Sequence, residues 1–247
     1  MKNKWGINNF ITICLILVIC ICGYRIYDRY HEYQKSDDIY ADLRKKKEAS
    51  LNKKNNFDLN NNTNSKSKNT IDLSPINKDF VCWIDIENTS IDYPVVQGED
   101  NSYYLRRDIY GNYLLSGTTF LDYRNDYNNS KNLIIYGHNM KNSTMFSQLE
   151  KFKDESFFNS NPTITLTSKD GERQYEVFAV LVVKKDYDYR IQNFNNNDEY
   201  NKFLNKIVDD SMFKTKNKPA ISDKILTLTT CSYEFNDART VVFCKEK

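Results

Sequence analysis

The sequence predicts a mainly β domain, either a barrel or a sandwich, behind an N-terminal transmembrane helix. Two observations predict this. Eight short strand-like runs separated by turn signals fill the region between Phe80 and Cys244, which is typical of barrels and sandwiches. An apolar stretch without charged side chains, Trp5 to Tyr24, lies near the N-terminus.

The N-terminal stretch is long enough to cross a bilayer, because about 20 apolar residues span one as a helix. A cleavable secretory signal would be followed by a site of small residues. Here Gly23 leads directly into Tyr24 and Arg25. We therefore predict an uncleaved membrane anchor over residues 1–27, with Lys2 and Lys4 giving weak support for an inside N-terminus.

Between the anchor and the β domain we predict a helical segment and then a flexible tether, together residues 28–70. The part from Asp28 to about Leu51 is charged and predicted to be helical, whereas Asn52–Thr70 is rich in Asn, Lys and Ser. Such a composition cannot bury enough apolar surface to fold. Residues 71–247 form one predicted folded unit, large enough for one core.

The predicted strands alternate with few helices. Apolar residues at helical spacing predict a helix over Asp198–Met212, with Asn196 and Glu199 as a capping arrangement. A second short helix is predicted over Ser143–Phe152. The eight predicted strands are Phe80–Ile86, Ser90–Val96, Thr118–Asp122, Asn132–Tyr136, Thr163–Thr167, Gln174–Val183, Ile225–Cys231 and Arg239–Cys244.

Composition excludes several classes of function. A net charge of +2, with no stripe of basic and aromatic residues, argues against nucleic acid as a partner. Outside the anchor only Cys82, Cys231 and Cys244 remain, and an odd number fits a free thiol better than a disulfide framework. The domain has neither a pair of cysteines at CxxC spacing nor a second histidine, so no metal site is predicted.

A candidate nucleophile stands at the end of the seventh predicted strand. Cys231 closes that strand, Arg239 opens the next one, and the polar run between them reads as a hairpin loop. Both side chains can therefore reach the same mouth of a sheet or barrel. A nearby cation favours the thiolate, which is the reactive form of cysteine. An isolated cysteine in this position would instead be read as a buried core residue.

A candidate base is given by elimination. The chain contains two histidines, His31 beside the anchor and His138 at the end of an apolar strand. Only His138 belongs to the predicted β domain, and Gly137 before it allows a close approach of another chain segment. The alternative is a strand-end histidine that serves only as a hydrogen-bonding group.

These residues sit in motifs that resemble the sortases, and more closely the class B sortases. The matches run in family order over most of the domain, and the long insertion before the cysteine strand favours class B over class A. The motifs are Ile91–Gln97, Gly117–Asp122, Tyr136–Met140, Thr227–Cys231 and Arg239. The resemblance implies a closed eight-stranded sortase-type β-barrel with peripheral helices, and a membrane-anchored cysteine transpeptidase of Gram-positive bacteria.

The resemblance also implies the chemistry. Cys231 would attack the carbonyl after the threonine of a C-terminal sorting signal of the Asn-Pro-x-Thr-Asn or Asn-Pro-x-Thr-Gly kind, giving a thioester. His138 would act as general acid and then base, and Arg239 would stabilise the oxyanion. The acyl group would pass to an amine of peptidoglycan or of its lipid-linked precursor. No cofactor is implied, and the catalytic domain would lie outside a single-pass anchor in the cell membrane.

Other residues leave alternatives open. Thr229 alternates to the same strand face as Cys231 and lines a substrate groove or is an ordinary strand threonine. Glu234 and Asp237 could orient Arg239 or His138, although turn chemistry explains Asp237 as well. The rival functions are a secreted cysteine peptidase that passes the acyl group to water, a peptidoglycan L,D-transpeptidase and a non-catalytic wall-binding domain. The wide separation of His138 from Cys231 counts against the L,D-transpeptidase.

Overall fold

A computed structural model of the chain describes residues 3–60 and 69–247. A long N-terminal helix, α1 (Asn3–Asn60), precedes the strands. The strands are β1 (Phe80–Ile86), β2 (Asp92–Val96), β3 (Thr119–Leu121), β4 (Asn132–Tyr136), β5 (Ile164–Ser168), β6 (Gly171–Lys184), β7 (Ile225–Cys231) and β8 (Ala238–Glu246). The other helices are α2 (Glu155–Ser160), α3 (Asn197–Asp209) and two 3₁₀ helices, Tyr103–Arg106 and Phe146–Lys153.

The eight strands close into a barrel in the order β1-β2-β3-β4-β7-β8-β6-β5. The fold class predicted from the resemblance is therefore confirmed, and closure leaves no free sheet edge. Two neighbouring pairs are parallel, β2 with β3 and β4 with β7, and the other pairs are antiparallel. The parallel pair β4/β7 brings the carboxyl ends of both strands to one end of the barrel.

Strands β1, β4 and β7 have the predicted bounds, and the others differ only at their ends. The largest difference is β6, which starts at Gly171 because its first residues pair with β5 in a hairpin. The predicted short helix before Phe152 exists as the 3₁₀ helix Phe146–Lys153. Periodicity thus located the elements, and pairing with neighbours set their lengths.

Helix α3 covers one outer face of the barrel. Its buried residues Phe203 and Ile207 belong to an apolar cluster with Phe178 and Phe243 of the sheet. The predicted cap is present, because the Asn196 side chain accepts a hydrogen bond from the Glu199 backbone nitrogen at 2.9 Å. The helix ends at Asp209, earlier than predicted, where the chain returns to the sheet through a bond from Met212 N to Val180 O of 2.8 Å.

The helical segment predicted from Asp28 to about Leu51 is present as part of α1, whereas the predicted tether is partly helical. Helix α1 continues to Asn60, so residues 52–60 of the predicted tether are helical, and residues 61–68 lie outside the described part of the chain. The middle of α1 packs on the barrel. Tyr40 and Leu43 are buried in the main core, and the Tyr40 hydroxyl donates to the Gly117 carbonyl. Composition missed this docking because a few apolar residues in a charged helix suffice for it.

Charged side chains of α1 strengthen the same contact. Lys47 pairs with Asp92 at 2.6 Å and lies over the ring of Trp83, whose indole nitrogen donates to the same carboxylate at 2.5 Å. Ser36 shares a hydrogen bond of 2.7 Å with Ser116. The basic run that follows Leu43 therefore partly faces the barrel.

Replacing Leu43 by alanine tests whether α1 belongs to the folded domain. Leu43 is fully buried, and a Leu-to-Ala change in a core costs about 2–5 kcal/mol in the free energy of unfolding. We expect that loss in urea unfolding of a fragment that starts at Asp28. Lys45→Ala, at an exposed position of the same helix, should leave stability unchanged. Equal stability of both variants would mean that α1 is only a tether.

Candidate active site

The barrel register brings the three predicted catalytic residues to one end. Strand β7 lies between β4 and β8, with Tyr136 opposite Thr229 in the parallel pair. His138 follows β4 two residues later and therefore extends beside the end of β7. In the antiparallel pair, Cys231 lies directly opposite Arg239. The juxtaposition of Cys231, His138 and Arg239 thus follows from strand order.

These three residues line one groove, here called the cysteine groove, with a volume of about 340 Å³. Its other lining residues include three aromatic rings and two basic side chains. Thr229 also lines the groove, which is one of the two alternatives predicted for this residue. The residues around it are Asn101, Leu105, Phe120, Tyr136, Gly137, Lys185, Tyr189, Arg190 and Thr230.

Backbone contacts hold Cys231 at the mouth of this groove. The Asn139 side chain donates to the Cys231 carbonyl at 2.9 Å, and Ser232 N donates to Ala238 O at 2.9 Å. The thiol is free and partly exposed, whereas Cys82 and Cys244 are buried. Burial raises the pKa values of the Cys82 and Cys244 thiols, so both stay protonated. Cys231 is therefore the thiol of the barrel that a substrate can reach.

His138 is half-buried, and its Nε2 lies 2.7 Å from the carbonyl oxygen of Leu105. A carbonyl can only accept, so Nε2 carries a proton and Nδ1 remains for proton exchange. Burial lowers the pKa of His138, opposed by the Leu105 contact and reinforced by the charge of Arg106. The neutral imidazole, which can accept a proton, is thereby favoured.

The titration of His138 should reflect this burial. We expect its NMR midpoint in the folded protein to lie below 6.5, its ordinary value. The unfolded chain then binds more protons just below that pH, so the contribution of His138 to stability falls as the pH drops through this region. A midpoint above 6.5 would contradict the effect of burial and would instead indicate a nearby anion.

Arg239 is half-buried, and its guanidinium donates to the carbonyl of Ala238 at 2.8 Å. The remaining N–H groups are available to the groove, since a guanidinium has five donors. Its charge persists at any relevant pH. This position suits a donor aimed at a substrate carbonyl next to Cys231.

Thr229 is buried, and its hydroxyl lies 3.3 Å from that of Tyr189. Tyr189 belongs to the segment between β6 and α3, which lies within the insertion before the cysteine strand. Thr229 thus joins the floor of the groove to this insertion, which supplies three lining residues, Lys185, Tyr189 and Arg190. Sequence reasoning missed all three, although their charged and aromatic run was a usable signal.

The two acids considered as partners of Arg239 or His138 contact lysines instead. Asp237 pairs with Lys185 at 2.7 Å. Glu234 contacts Lys153 and Ser232, and these contacts lower its pKa to about 2 against the opposing effect of burial. Neither acid forms a hydrogen bond with Arg239 or His138 among the described residues.

Lys153 is the centre of a polar cluster behind the catalytic strand ends. Its ammonium contacts Glu150 at 2.5 Å and Ser232 at 2.8 Å, and Glu150 accepts from Thr240 at 2.6 Å. Ser232 follows Cys231, and Thr240 follows Arg239. The cluster therefore ties both strand ends to the 3₁₀ helix Phe146–Lys153. Nothing in the sequence around Lys153 distinguishes it from a surface lysine.

Gly137 is required by close packing beside the histidine. A Cβ at this position would lie 2.5 Å from the ring of Phe146, well inside van der Waals contact. Phe146 is fully buried at the start of the 3₁₀ helix and cannot move away without disturbing the core. This geometry agrees with the close approach inferred from the sequence.

Gly137→Ala is therefore expected to destabilise the domain by about 1–3 kcal/mol, as overpacking of a core does. Urea unfolding measures this. The matched control is Gly98→Ala, because a Cβ there would make only ordinary contacts of 3.4 Å with Tyr104. Equal stability of the two variants would show that the Phe146 ring moves freely.

Comparison with known proteins identifies the family. The sortase domain model matches residues 84–247. Sortase B of Listeria monocytogenes is 32% identical over 240 residues, which cover 95% of this chain and 93% of that protein. The chain belongs to the sortase family. Its relatives further make it a class B sortase, a transpeptidase.

Solved sortase structures agree with the barrel. Clostridium perfringens sortase B superposes with a TM-score of 0.69 at 42% identity, covering 71% of this chain and 97% of that one. A Staphylococcus aureus sortase B–substrate complex gives a TM-score of 0.75 at 29% identity, covering 87% of this chain and 98% of that one. The second match extends further along the chain than the first.

The N-terminal part of α1 has the length and composition of a membrane span. Within the described residues, one helical segment, Asn8–Leu51 of α1, is long and apolar enough to cross a bilayer, by those criteria alone. Its apolar side chains from Phe10 to Ile26 project from the protein, whereas Tyr40 and Leu43 are buried against the barrel. The segment is consistent with membrane association through its first half.

Proposed function

We propose that this sortase cleaves a C-terminal sorting signal after its threonine and transfers the acyl group to a cell-wall amine. The observation that carries the proposal is the meeting of Cys231, His138 and Arg239 in one groove at one end of the barrel. A thiol, an imidazole and a guanidinium are a nucleophile, a proton carrier and an oxyanion donor. No metal or cofactor is needed for this chemistry.

The first half-reaction uses all three groups. The Cys231 thiol passes its proton to His138 as its sulfur attacks the carbonyl carbon of the threonine, and Arg239 stabilises the negative oxygen of the tetrahedral intermediate. The carbon–nitrogen bond then breaks, and His138 gives that proton to the leaving amine. The product is a thioester between the threonine acyl group and Cys231, with the C-terminal part of the signal released.

The second half-reaction reverses the proton transfer. An incoming amine attacks the thioester carbonyl, His138 accepts its surplus proton, and the sulfur leaves as the carbon–nitrogen bond forms. Because neutral His138 is favoured by burial, it can accept that proton at neutral pH. The acceptor is an amine of peptidoglycan or of its lipid-linked precursor.

The groove suits an extended peptide of the Asn-Pro-x-Thr-Asn or Asn-Pro-x-Thr-Gly kind. It combines aromatic side chains with polar and basic groups, including Thr229 and Lys185. A relative has been solved as a sortase B–substrate complex, which supports binding of a substrate by a barrel of this kind. We further propose a single-pass anchor over the first residues, with the barrel outside the membrane.

A panel of fluorogenic peptides tests the proposal. The peptides carry Asn-Pro-x-Thr-Asn, Asn-Pro-x-Thr-Gly and Leu-Pro-x-Thr-Gly, each with and without an amine acceptor. The fragment should start at Asp28, because the middle of α1 packs on the barrel. Cleavage after threonine together with an amine-ligated product supports the transpeptidase. Hydrolysis with every amine supplied would favour a peptidase, and no cleavage would favour wall binding alone.

A further inference from the structure

A second groove meets the active site from the side of α1. This α1 groove has a volume of about 460 Å³. Of the residues that line it, His138 alone also lines the cysteine groove. Its character is basic and aromatic, set by Arg29, Tyr33, Arg106, Lys141 and Tyr233.

The three cations of the α1 groove have no acidic partner. Within the described residues, Arg29 and Lys141 form no hydrogen bond or ion pair, and Arg106 donates only to the carbonyl of Leu115, at 2.7 Å. Glu32 of α1 lies with its carboxylate 3.4 Å from the backbone nitrogen of Leu115. Because Leu115 lines the groove, Glu32 is an acidic group beside it, and three cations against this one carboxylate leave the groove net positive, which attracts an anion.

The arrangement of these cations, more than their lack of partners, distinguishes the groove. Seven basic residues form ion pairs in the described part of the chain, among them Lys47, Lys153 and Lys206, and the other basic residues there do not. In the α1 groove, cations from α1 and from two barrel loops share one cavity without an ion pair among them.

The position of His138 connects this charge to the reaction. The sorting signal occupies the cysteine groove in the proposed function, so the amine needs a second approach to the thioester. The α1 groove provides one that ends at the imidazole, which takes up the proton of the amine. Asn139, on the same loop, also bonds to the Cys231 carbonyl at 2.9 Å, so the two grooves meet at a fixed point.

The groove is also close to the proposed membrane surface. Arg29 follows Ile26, the last exposed aliphatic residue of the anchor stretch, by three positions. At 1.5 Å per residue this is roughly 5 Å along the helix. A lipid-linked acceptor would therefore arrive at this height.

We propose that the α1 groove binds the acceptor through an anionic group, a carboxylate or a phosphate, on the molecule that carries the amine. This inference rests on the proposed transpeptidase function. The bound amine forms a carbon–nitrogen bond with the thioester carbonyl, the carbon–sulfur bond breaks, and its electron pair returns to Cys231. The surplus proton of the amine passes to His138. Arg29, Arg106 and Lys141 hold the anion away from the reacting atoms.

Matched acceptors test this proposal on the full chain in phosphatidylcholine vesicles. Glycylglycine carries an amine and a carboxylate, whereas glycylglycine amide carries the amine alone. The readout is the ratio of kcat/KM for the two acceptors, with the sorting peptide held saturating. Inorganic pyrophosphate, added as a competitor of the amide, tests phosphate binding separately.

If the groove binds a carboxylate, we expect the wild type to prefer glycylglycine by roughly tenfold, which is what three partly exposed charge contacts together are worth. If it binds a phosphate, we expect pyrophosphate to inhibit the wild type competitively with the amine. The triple variant R29Q/R106Q/K141Q should lose that preference or inhibition. Both acceptors are measured on the same protein variant. A loss of folded protein or of His138 activity therefore lowers both kcat/KM values equally and leaves their ratio unchanged. Lys216→Gln, at an exposed position outside both grooves, should behave as the wild type.

The remaining outcomes are distinct. If the wild type transfers to both acceptors equally and pyrophosphate does not compete, this inference is wrong and the proposed function stands. If the triple variant instead loses only binding to phosphatidylserine vesicles, the three cations contact lipid and the inference is also wrong. If the wild type cleaves without transfer to any amine, the proposed function and this inference are wrong together.

Discussion

Replacing Cys231 by alanine is expected to abolish cleavage of the sorting peptide and formation of the amine-ligated product. The thiol is the only group of the cysteine groove that can form the thioester, and loss of a nucleophile costs about 10⁶ in rate in a well-studied serine protease. A loss of at least ~10³ should be visible by chromatography of the products. The fold should be unaffected, because the side chain lies at a partly exposed strand end.

The control for this prediction removes a thiol outside the groove. It is made in the full chain, because Cys22 lies before Asp28, and Cys22→Ala should retain full activity since Cys22 is far along the chain from the groove. Alkylation gives a second readout, since Cys231 should react with iodoacetamide faster than the buried Cys82 and Cys244. If Cys231→Ala still cleaves the peptide, Cys231 is not the nucleophile.

Replacing Arg239 by lysine is expected to lower kcat/KM by about 10²–10³, the usual cost of losing one oxyanion donor. Lysine keeps the charge but not the planar fork of donors. Arg239 uses one N–H for the Ala238 carbonyl at 2.8 Å and lies opposite Cys231 in the sheet. A lysine would have to bond to the Ala238 carbonyl and stabilise the oxyanion with one ammonium group.

Rates with and without added amine separate the two half-reactions of the Arg239 variant. Both pass through an oxyanion, so both should slow. Arg107→Lys is the matched control, because Arg107 is exposed, bonds to Gly111 O at 2.9 Å and does not line the cysteine groove. Activity of Arg239→Lys within twofold of the control would show that charge alone suffices at this position.

Much of the fold followed from local pattern. The runs that became β1, β4 and β7 are rich in apolar and β-branched residues, so their composition located them without help from their neighbours. The helix α3 has an unbroken apolar face and a cap at Asn196. Closure of the barrel came from the family resemblance, because strand order depends on pairings between distant segments.

The candidate site was predictable where chemistry requires rare residue types. The sequence alone was enough to select one cysteine, one histidine and one arginine at strand ends. The order of the strands in the barrel then brings these three residues together. The rest of the site depends on side chains that are common elsewhere. Lys153 and the cations of the α1 groove acquire a role only through neighbours that no local pattern specifies.

The docking of α1 was missed for a related reason. Its buried residues, Ser36, Tyr40 and Leu43, follow helical spacing, but the charged residues around them dominate the composition. Composition averages over a segment, whereas packing depends on one face. The consequence is practical, because a soluble fragment that starts at Ile71 would leave the barrel surface beneath Tyr40 and Leu43 uncovered.

The central claim is that a thioester forms on Cys231 and is resolved by an amine. Intact-mass spectrometry of the protein, quenched in acid shortly after mixing with the preferred sorting peptide, measures this directly. The account predicts an added mass equal to the peptide up to its threonine, located on Cys231 by digestion and lost when an amine is added. Cleavage of the peptide without an adduct on Cys231, or with an adduct elsewhere, would contradict it.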